Sequence, residues 1–140
     1  AKHRNRLGVL LGNAATEGNT KTLTHTLWAL LNVLPPRTTQ PAHRHNSIAL
    51  DLAIDAPADG TVYTIMGPGI DDSGEIIDPI KCTWTSGAMF VTPPGWWHSH
   101  VNEGDYEAFV LPLQDAGLHT AMRTLDIRFA KGIVEEKKGD

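Results

Sequence analysis

Short apolar runs follow one another along the chain, and residues that favour turns separate them. The turn clusters include APADG, GPGIDDSG, TSG and PPG. Runs with such boundaries predict β-strands, and their roughly regular spacing is typical of a sandwich or barrel rather than of alternating strands and helices. We predict eight strands, at residues 6–11, 22–34, 47–54, 61–66, 82–85, 88–92, 106–113 and 121–129.

Two segments allow a second interpretation. The leucine-rich end of residues 22–34 resembles a helix, but alternating threonines and the following LPP favour a strand. Residues 67–79, GPGIDDSGEIIDP, are acidic and rich in turn formers, which predicts a solvated hairpin or loop. The alternative for this segment is a lid or a loop that contacts a partner.

Length and composition indicate one globular domain. A chain of 140 residues can bury a core, and 41% hydrophobic with 20% charged residues argues against disorder. A net charge of −4 gives no basic surface for nucleic acid or an anionic membrane. No apolar run approaches the ~20 residues of a membrane-spanning helix. We predict a single domain over 1–140, with a core over about 22–130 and a short charged tail, VEEKKGD.

The single cysteine, Cys82, excludes an intrachain disulfide and favours a reducing compartment. The sequence given shows no signal-peptide pattern at its start, and we expect a cytoplasmic protein. Cys82 is interpreted as a small buried hydrophobe and Trp84 as a structural residue. No role is assigned to His3, His25 or His119.

Three histidines form the candidate site. In PAHRH, His43 and His45 alternate and therefore share one face of a strand, either as a hydrogen-bonded pair or as two metal ligands. In GAMFVTPPGWWHSHVN, residues 87–102, a Pro-x-Gly turn precedes a strand that carries His98. Three imidazoles from two strands would hold a metal on one face and leave positions open for substrate and O2 or water.

The stretch 87–102 resembles the second sequence motif of the cupin superfamily, G-x5-P-x-G-x2-H-x3-N, at every specified position. The first cupin motif is half present, as His43-x-His45; its acidic ligand would fall at Ala49 or Leu50, and its leading glycine is Arg37. The resemblance covers roughly residues 22–115. It implies an all-β, cupin-type double-stranded β-helix, which is a jelly-roll barrel.

Within this superfamily, PAHRHNSIAL and WWHSHVN look like the ring-cleaving dioxygenases that act on gentisate, salicylate and 1-hydroxy-2-naphthoate. That group holds Fe(II) with three histidines and has a small residue in place of glutamate. The resemblance implies an Fe(II) enzyme, although Zn(II), Ni(II) or Mn(II) could occupy the purified protein. It implies iron ligation by His43, His45 and His98, a catalytic role near the substrate for His100, and pocket positions for Trp28 and Asn32.

Asp51 departs from that group, which uses a basic or polar residue at this position to hold the substrate carboxylate. By alternation Asp51 shares a face with His45 and Ala49, and it could be an outer-shell partner, a substitute ligand or a rim residue. We predict that it binds substrate. A carboxylate here would repel an anionic substrate, which disfavours a simple hydroxybenzoate.

These features predict a metal-dependent dioxygenase that cleaves a small oxygenated aromatic or enolisable substrate with O2. The alternatives are a non-catalytic metal-binding module, which senses a ligand or forms half of a two-cupin enzyme, and a cupin isomerase or lyase with another divalent metal. Partners are expected to be the small-molecule substrate and O2, with no nucleic acid and no membrane. Open strand edges predict a homodimer.

Overall fold

The computed structural model describes residues 7–130, and they are almost entirely β-structure. His3 and the predicted charged tail lie outside the described residues. The described part contains eleven strands and one short helix. They are β1 (Leu7–Leu11), β2 (Trp28–Leu34), β3 (Thr38–Thr39), β4 (His43–His45), β5 (Ala49–Asp55), β6 (Val62–Gly67), β7 (Ile80–Thr83), β8 (Met89–Thr92), β9 (Trp97–Asn102), β10 (Ala108–Gln114), α1 (Ala116–Ala121) and β11 (Ile127–Phe129).

Two antiparallel sheets make up the barrel. The first has the strand order β1-β2-β10-β5-β8, and the second has the order β11-β4-β9-β6-β7, with β3 paired to β9. Non-consecutive strands lie side by side in both sheets, because the chain crosses repeatedly from one sheet to the other. The predicted all-β jelly-roll architecture is confirmed.

Alternation along each strand determines what enters the barrel. On β5, Ala49, Asp51 and Ala53 are buried, whereas Leu50 and Ile54 point outward and are exposed. A compact cluster of buried apolar side chains fills one part of the interior, and a valine or leucine in it contributes roughly 1.5–3 kcal/mol on burial. The cluster consists of Leu34, Ala53, Val62, Trp84, Ala108 and Val110. The remaining interior is lined by both polar and apolar groups and contains the site.

The predicted strand over 22–34 is only half right. Its second half forms β2, but Thr24 turns the chain before it: its Oγ1 accepts hydrogen bonds from the backbone N–H groups of Thr26, at 3.2 Å, and Leu27, at 3.0 Å. A threonine hydroxyl that captures nearby backbone donors competes with strand pairing. The alternating threonines therefore mark a turn here rather than a strand.

The prediction for 121–129 is wrong over most of its length. A helix, α1, ends there, and only Ile127–Phe129 pair as a strand. The backbone of Arg123 has a φ of 58°, which a continuous strand does not allow. The helix lies close against the turn before β2, since a Cβ on Gly117 would come within 2.7 Å of the Thr26 carbonyl carbon.

The segment 67–79 leaves β6 as a loop stabilised by its own residues. Asp71 accepts hydrogen bonds from the backbone N–H groups of Ser73 and Glu75, and Ile70 and Ile76 form an isolated bridge. None of the described residues that line the interior cavity comes from this loop. The position of this loop therefore does not support its interpretation as a lid.

The outer face of the first sheet is apolar from one edge to the other. The paired registers of β1, β2, β10, β5 and β8 align their outward positions. These positions are Leu7, Val9, Leu11, Ala29, Leu31, Val33, Phe109, Leu111, Leu113, Leu50, Leu52, Ile54, Met89 and Val91. Ala29 and Val33 within this set are buried, and the others are exposed or half-buried. Asp55 pairs with Phe109 at one end of the set, which we call the outer apolar face.

Candidate metal centre

Two adjacent strands of the second sheet carry the three predicted ligands. His43 on β4 pairs directly with His98 on β9, and His45 lies two residues further along β4. The ring centroids of His43 and His98 are 4.0 Å apart, and those of His45 and His98 are 4.9 Å apart. One nitrogen from each ring lies within 4.8 Å of the others, and all three side chains are buried.

The second nitrogen of each ring is held by a backbone carbonyl. The Nδ1 atoms of His43, His45 and His98 lie 3.4, 2.8 and 3.1 Å from the carbonyl oxygens of Pro41, Ser47 and Trp96. A carbonyl can only accept, so each Nδ1 carries the proton and Nε2 carries the lone pair of the neutral ring. Metal-binding histidines are typically oriented in this way, and the donor set fits a divalent transition metal.

The Pro-x-Gly turn joins the two ligand-bearing strands. Gly95 has a φ of 76°, in the region that glycine tolerates, and its N–H donates a 2.7 Å hydrogen bond to the carbonyl of His45. The turn therefore fixes the start of β9 against β4. This contact explains why the glycine of the motif stands three residues before His98.

Ser47 and Gln114 extend the support behind His45, and sequence reasoning missed both. The Ser47 hydroxyl lies 3.0 Å from His45 Nδ1 and donates a 2.9 Å hydrogen bond to the Gln114 side-chain carbonyl. Ser47 follows the histidine pair by two residues, but Gln114 lies 67 residues further on. Only the pairing of β5 with β10 brings it close, and local sequence carries no signal of that contact.

His100 is held by a side chain rather than by a backbone carbonyl. Trp84 Nε1 donates a 2.8 Å hydrogen bond to Thr64 Oγ1, which lies 2.7 Å from His100 Nδ1. An indole nitrogen can only donate, so the threonine hydroxyl accepts from Trp84 and keeps its own hydrogen and a second lone pair for His100 Nδ1. The Trp84–Thr64 pair therefore positions the ring of His100, and the contact is compatible with either tautomer.

We expect Thr64→Val to disturb this arrangement. The valine leaves the buried Trp84 N–H without an acceptor, which costs about 1–3 kcal/mol of unfolding free energy, and it removes the hydroxyl that contacts His100 Nδ1. Nitrogen-15 NMR of histidine-labelled, Zn(II)-loaded protein reports the hydrogen bonding and protonation of each ring nitrogen. Thr83→Val, at an exposed position of the neighbouring strand, is the control. Unchanged nitrogen-15 shifts of the His100 ring in Thr64→Val would contradict this contact.

A cavity of about 480 Å3 opens onto the histidines between the two sheets. All seven predicted site residues line it: His43, His45, His98, His100, Trp28, Asn32 and Asp51. Thr22, Leu30, Pro112, Gln114, Leu125 and Phe129 contribute further parts of the wall. The structure thus brings the predicted residues together, whereas their individual roles stay predictions.

The buried amide of Asn32 has a fixed orientation. Gln40 Nε2 donates a 3.3 Å hydrogen bond to Asn32 Oδ1, and Gln40 is itself fully buried. The side-chain oxygen of Asn32 therefore already has a partner in the protein. Trp28 lies on the same inward face of β2 and is half-buried, so it forms an apolar wall.

Asp51 is almost fully buried, at 2% exposure, and it accepts a 2.7 Å hydrogen bond from Thr92 Oγ1 at its Oδ2 atom. Burial raises the pKa of its carboxyl from 3.8 to about 6, and the hydrogen bond from Thr92 opposes part of that rise. Of the positions considered for Asp51, the exposed rim is therefore wrong. The residue is part of the inner wall.

The other titratable candidates lie apart from the cavity. His25 is exposed, and His119 contacts Thr124. Cys82 is half-buried on β7, and desolvation raises the pKa of its thiol, which disfavours a thiolate nucleophile. Trp84 is a buried core residue, as expected, and also supports His100 through Thr64.

The chain is similar in sequence to two gentisate 1,2-dioxygenases. It is 31% identical over 137 residues to gentisate 1,2-dioxygenase 1 of Aquipseudomonas alcaligenes, covering 97% of the chain and 34% of that protein. It is 28% identical over 101 residues to the gentisate 1,2-dioxygenase of a Haloferax species, covering 72% of the chain and 25% of that protein. The chain thus spans a quarter to a third of the length of these curated relatives. No family model matches it.

Solved structures share the fold. The salicylate 1,2-dioxygenase of Pseudaminobacter salicylatoxidans superposes with a TM-score of 0.72 at 25% identity, over 91% of this chain and 32% of that one. A recombinant oxalate oxidase superposes with a TM-score of 0.60 at 21% identity, over 82% of this chain and 53% of that one, and supports the fold alone. The chain adopts the cupin fold and resembles the gentisate and salicylate dioxygenase group.

Proposed function

We propose that this chain, a cupin domain similar to gentisate and salicylate 1,2-dioxygenases, is the metal-binding domain of a ring-cleaving dioxygenase. The observation that carries the proposal is the buried cluster of His43, His45 and His98, whose nitrogens lie within 4.8 Å of one another. The likeness to gentisate dioxygenases supports the same conclusion independently. Iron(II) is the proposed metal, with O2 as the second substrate.

Neutral imidazoles leave the double charge of a divalent ion intact. Bound Fe(II) would act as a Lewis acid for substrate oxygens and would supply the redox chemistry for O2. His43, His45 and His98 would hold it through Nε2. The carbonyl partners of their Nδ1 atoms fix the rings before the metal arrives, so binding does not require the rings to reorient.

His100 is the proposed proton donor of the site. In this proposal the ring proton is on Nε2 and the Thr64 hydroxyl, which accepts from Trp84, donates to Nδ1. The ring is buried and lines the cavity. A donor at this position would orient a substrate oxygen and could later return a proton to the product. Trp28 and Asn32 would provide a flat apolar wall and an amide for a small ring.

A cavity of about 480 Å3 is suited to a single-ring compound or a compact diketone. We therefore propose a small oxygenated aromatic or enolisable substrate. Among the described helices, none is long and apolar enough to cross a membrane. Localisation in the cytoplasm stays a prediction.

The length of the relatives favours a second candidate function. Because the chain spans at most 34% of those proteins, it could serve as a metal-binding module whose catalytic partner is another domain. To distinguish the two, the protein is loaded anaerobically with Fe(II), and O2 uptake is recorded with dihydroxyaromatics, aminophenols, hydroxy acids and diketones. Uptake that depends on Fe(II) and fails with Zn(II) supports the dioxygenase. One bound metal per chain without uptake supports the module.

We also propose that two copies of the chain pair through the outer apolar face. Five strands spaced by about 4.8 Å, each with two or three outward residues, give a patch about 20 Å wide. Monomeric proteins rarely leave an apolar patch of several hundred Å2 in water, and such a patch matches the centre of a standard interface. Two-fold pairing would cover the same face on both copies.

Replacing Met89 and Val91 by lysine tests the pairing. Both side chains are about half exposed in the outer apolar face, so the folded monomer tolerates the charges, whereas the interface does not. Sedimentation should give a dimer for the parent protein and a monomer for the double variant. Ile77→Lys, with similar exposure in the loop after β6, is the control and stays dimeric. A monomeric parent protein would disprove the proposal.

A further inference from the structure

Asp51 is a buried acidic group, and its part of the cavity offers few groups that would compensate its negative charge. It lies on the inward face of β5, between Phe90 of β8 and Pro112 of β10 in the paired register. Thr92 provides its one hydrogen bond among the described residues, and none of them forms an ion pair with it. A buried carboxylate with one donor remains an acceptor for a further donor.

The hydrogen bond from Thr92 occupies one of the two carboxyl oxygens of Asp51. The hydroxyl of Thr92 donates to Oδ2 at 2.7 Å, which stabilises that oxygen as an acceptor. The second oxygen, Oδ1, receives no hydrogen bond from a described residue. A ligand in the cavity can therefore supply the donor that the protein does not.

The charges of the cavity wall support this conclusion. Among the described residues that line it there is neither a lysine nor an arginine. Apart from the histidines and Asp51 itself, the polar groups among these lining residues are neutral, such as Asn32, Gln114 and Thr120. A carboxylate on the substrate would find no lysine or arginine among the described lining residues and would face the like charge of Asp51.

Charge balance at the metal also disfavours a substrate that carries a carboxylate. With three neutral histidines, a divalent ion keeps two positive charges, of which Asp51 offsets one from the cavity wall. A substrate that binds through one deprotonated hydroxyl offsets the other. A substrate with an additional carboxylate would leave the site with an excess of negative charge in a buried environment.

We infer that Asp51 selects substrates that present a hydrogen-bond donor, either an amine or a second hydroxyl. The related dioxygenases, by contrast, are named for rings that carry a carboxylate. The inference rests on the proposed function and narrows its substrate to the class of aminophenols and dihydroxybenzenes without a carboxylate. In this arrangement the substrate N–H or O–H donates to Oδ1 of Asp51. Thr92 keeps the carboxylate oriented for that contact.

The test measures binding without turnover. Protein loaded with redox-silent Zn(II) is titrated calorimetrically with 2-aminophenol and with salicylate, which differ in the group next to the hydroxyl. We expect at least about tenfold tighter binding of 2-aminophenol. Asp51→Asn keeps an acceptor for Thr92 but lacks the charge. It should reduce the ratio of the affinities for 2-aminophenol and salicylate several-fold. Asp51→Arg should reverse the preference toward salicylate.

The outcomes separate this inference from the proposed function. Equal or tighter binding of salicylate by the parent protein, or a ratio that Asp51→Asn leaves unchanged, overturns the inference while the metal site stands. Failure of the parent protein to retain Zn(II) overturns the metal site itself. As a control for folding, each variant must retain one Zn(II) per chain, and Asp55→Asn, at an exposed position of the same strand, must keep the parent ratio.

Discussion

Replacing His98 by alanine should remove metal binding and O2-dependent turnover together while the barrel stays folded. The ring of His98 lies between those of His43 and His45, with centroid distances of 4.0 and 4.9 Å. Without it, two imidazoles on one short strand remain, too few for a closed transition-metal site. Loss of an outer-shell partner alone lowers metal affinity about 10–100-fold, so loss of a ligand should exceed about 100-fold.

The metal content is measured after dialysis. O2 uptake is then recorded with protein that has been loaded with Fe(II) under anaerobic conditions. His25→Ala is the matched control, since His25 is exposed and is not among the described residues that line the cavity. It should retain one metal per chain and the parent rate. If His98→Ala retained stoichiometric metal at the parent affinity, the assignment of the three histidines would be wrong.

Asp51→Asn should stabilise the metal-free protein at neutral pH, by up to about 3 kcal/mol. Burial raises the pKa of Asp51 from 3.8 to about 6, and two units of pKa correspond to about 3 kcal/mol. The folded state therefore opposes ionisation of this group. Asparagine removes the charge and keeps an oxygen that can accept the hydrogen bond of Thr92.

The pH dependence has a defined sign. Below about pH 3 the carboxyl is protonated in both folded and unfolded chains, and the penalty is absent. As pH rises from about 3 to 6, the unfolded chain ionises first, so the parent protein loses stability relative to the variant. Above about pH 7 the difference is constant. Urea unfolding of the metal-free parent and variant at pH 4.5 and pH 8 measures this difference in unfolding free energy, with Asp55→Asn as the exposed control. A pH-independent difference would contradict the buried, pKa-shifted assignment.

Sequence patterns predicted the barrel because jelly-roll strands alternate between interior and solvent. The runs at 47–54 and 61–66 agree with β5 and β6 to within two residues. The prediction failed where nearby side chains form hydrogen bonds with backbone groups that would otherwise pair between strands. Thr24 captures two backbone N–H groups, and α1 has only six residues, too few for a helical period to show.

The candidate site was predictable to the extent that it follows a contiguous motif. His43, His45 and His98 lie in two short stretches whose resemblance to the cupin motifs implied a ligand set, and the structure brings them together. Ser47, Gln114 and Thr64 were not predicted, because their contacts with histidines depend on strand pairing. The hydrogen bond between Ser47 and Gln114 spans 67 residues, and that between Thr64 and His100 spans 36.

Asp51 illustrates what a sequence departure from a family can and cannot reveal. Its position in the motif suggested a change in substrate charge, but alternation left both the wall and the rim open. The 2% exposure of the side chain and the hydrogen bond from Thr92 decide between them. The same observations support the preference for a donor-bearing substrate.

The measurement that tests the central claim most directly is turnover of Fe(II)-loaded protein under 18O2, with the product analysed by mass spectrometry. A dioxygenase built on the three histidines should yield a ring-opened product that contains two 18O atoms per molecule. The same substrate with Zn(II)-loaded protein should remain intact. A product with no 18O, or equal conversion with Zn(II), would contradict the account and assign the metal site to a different reaction.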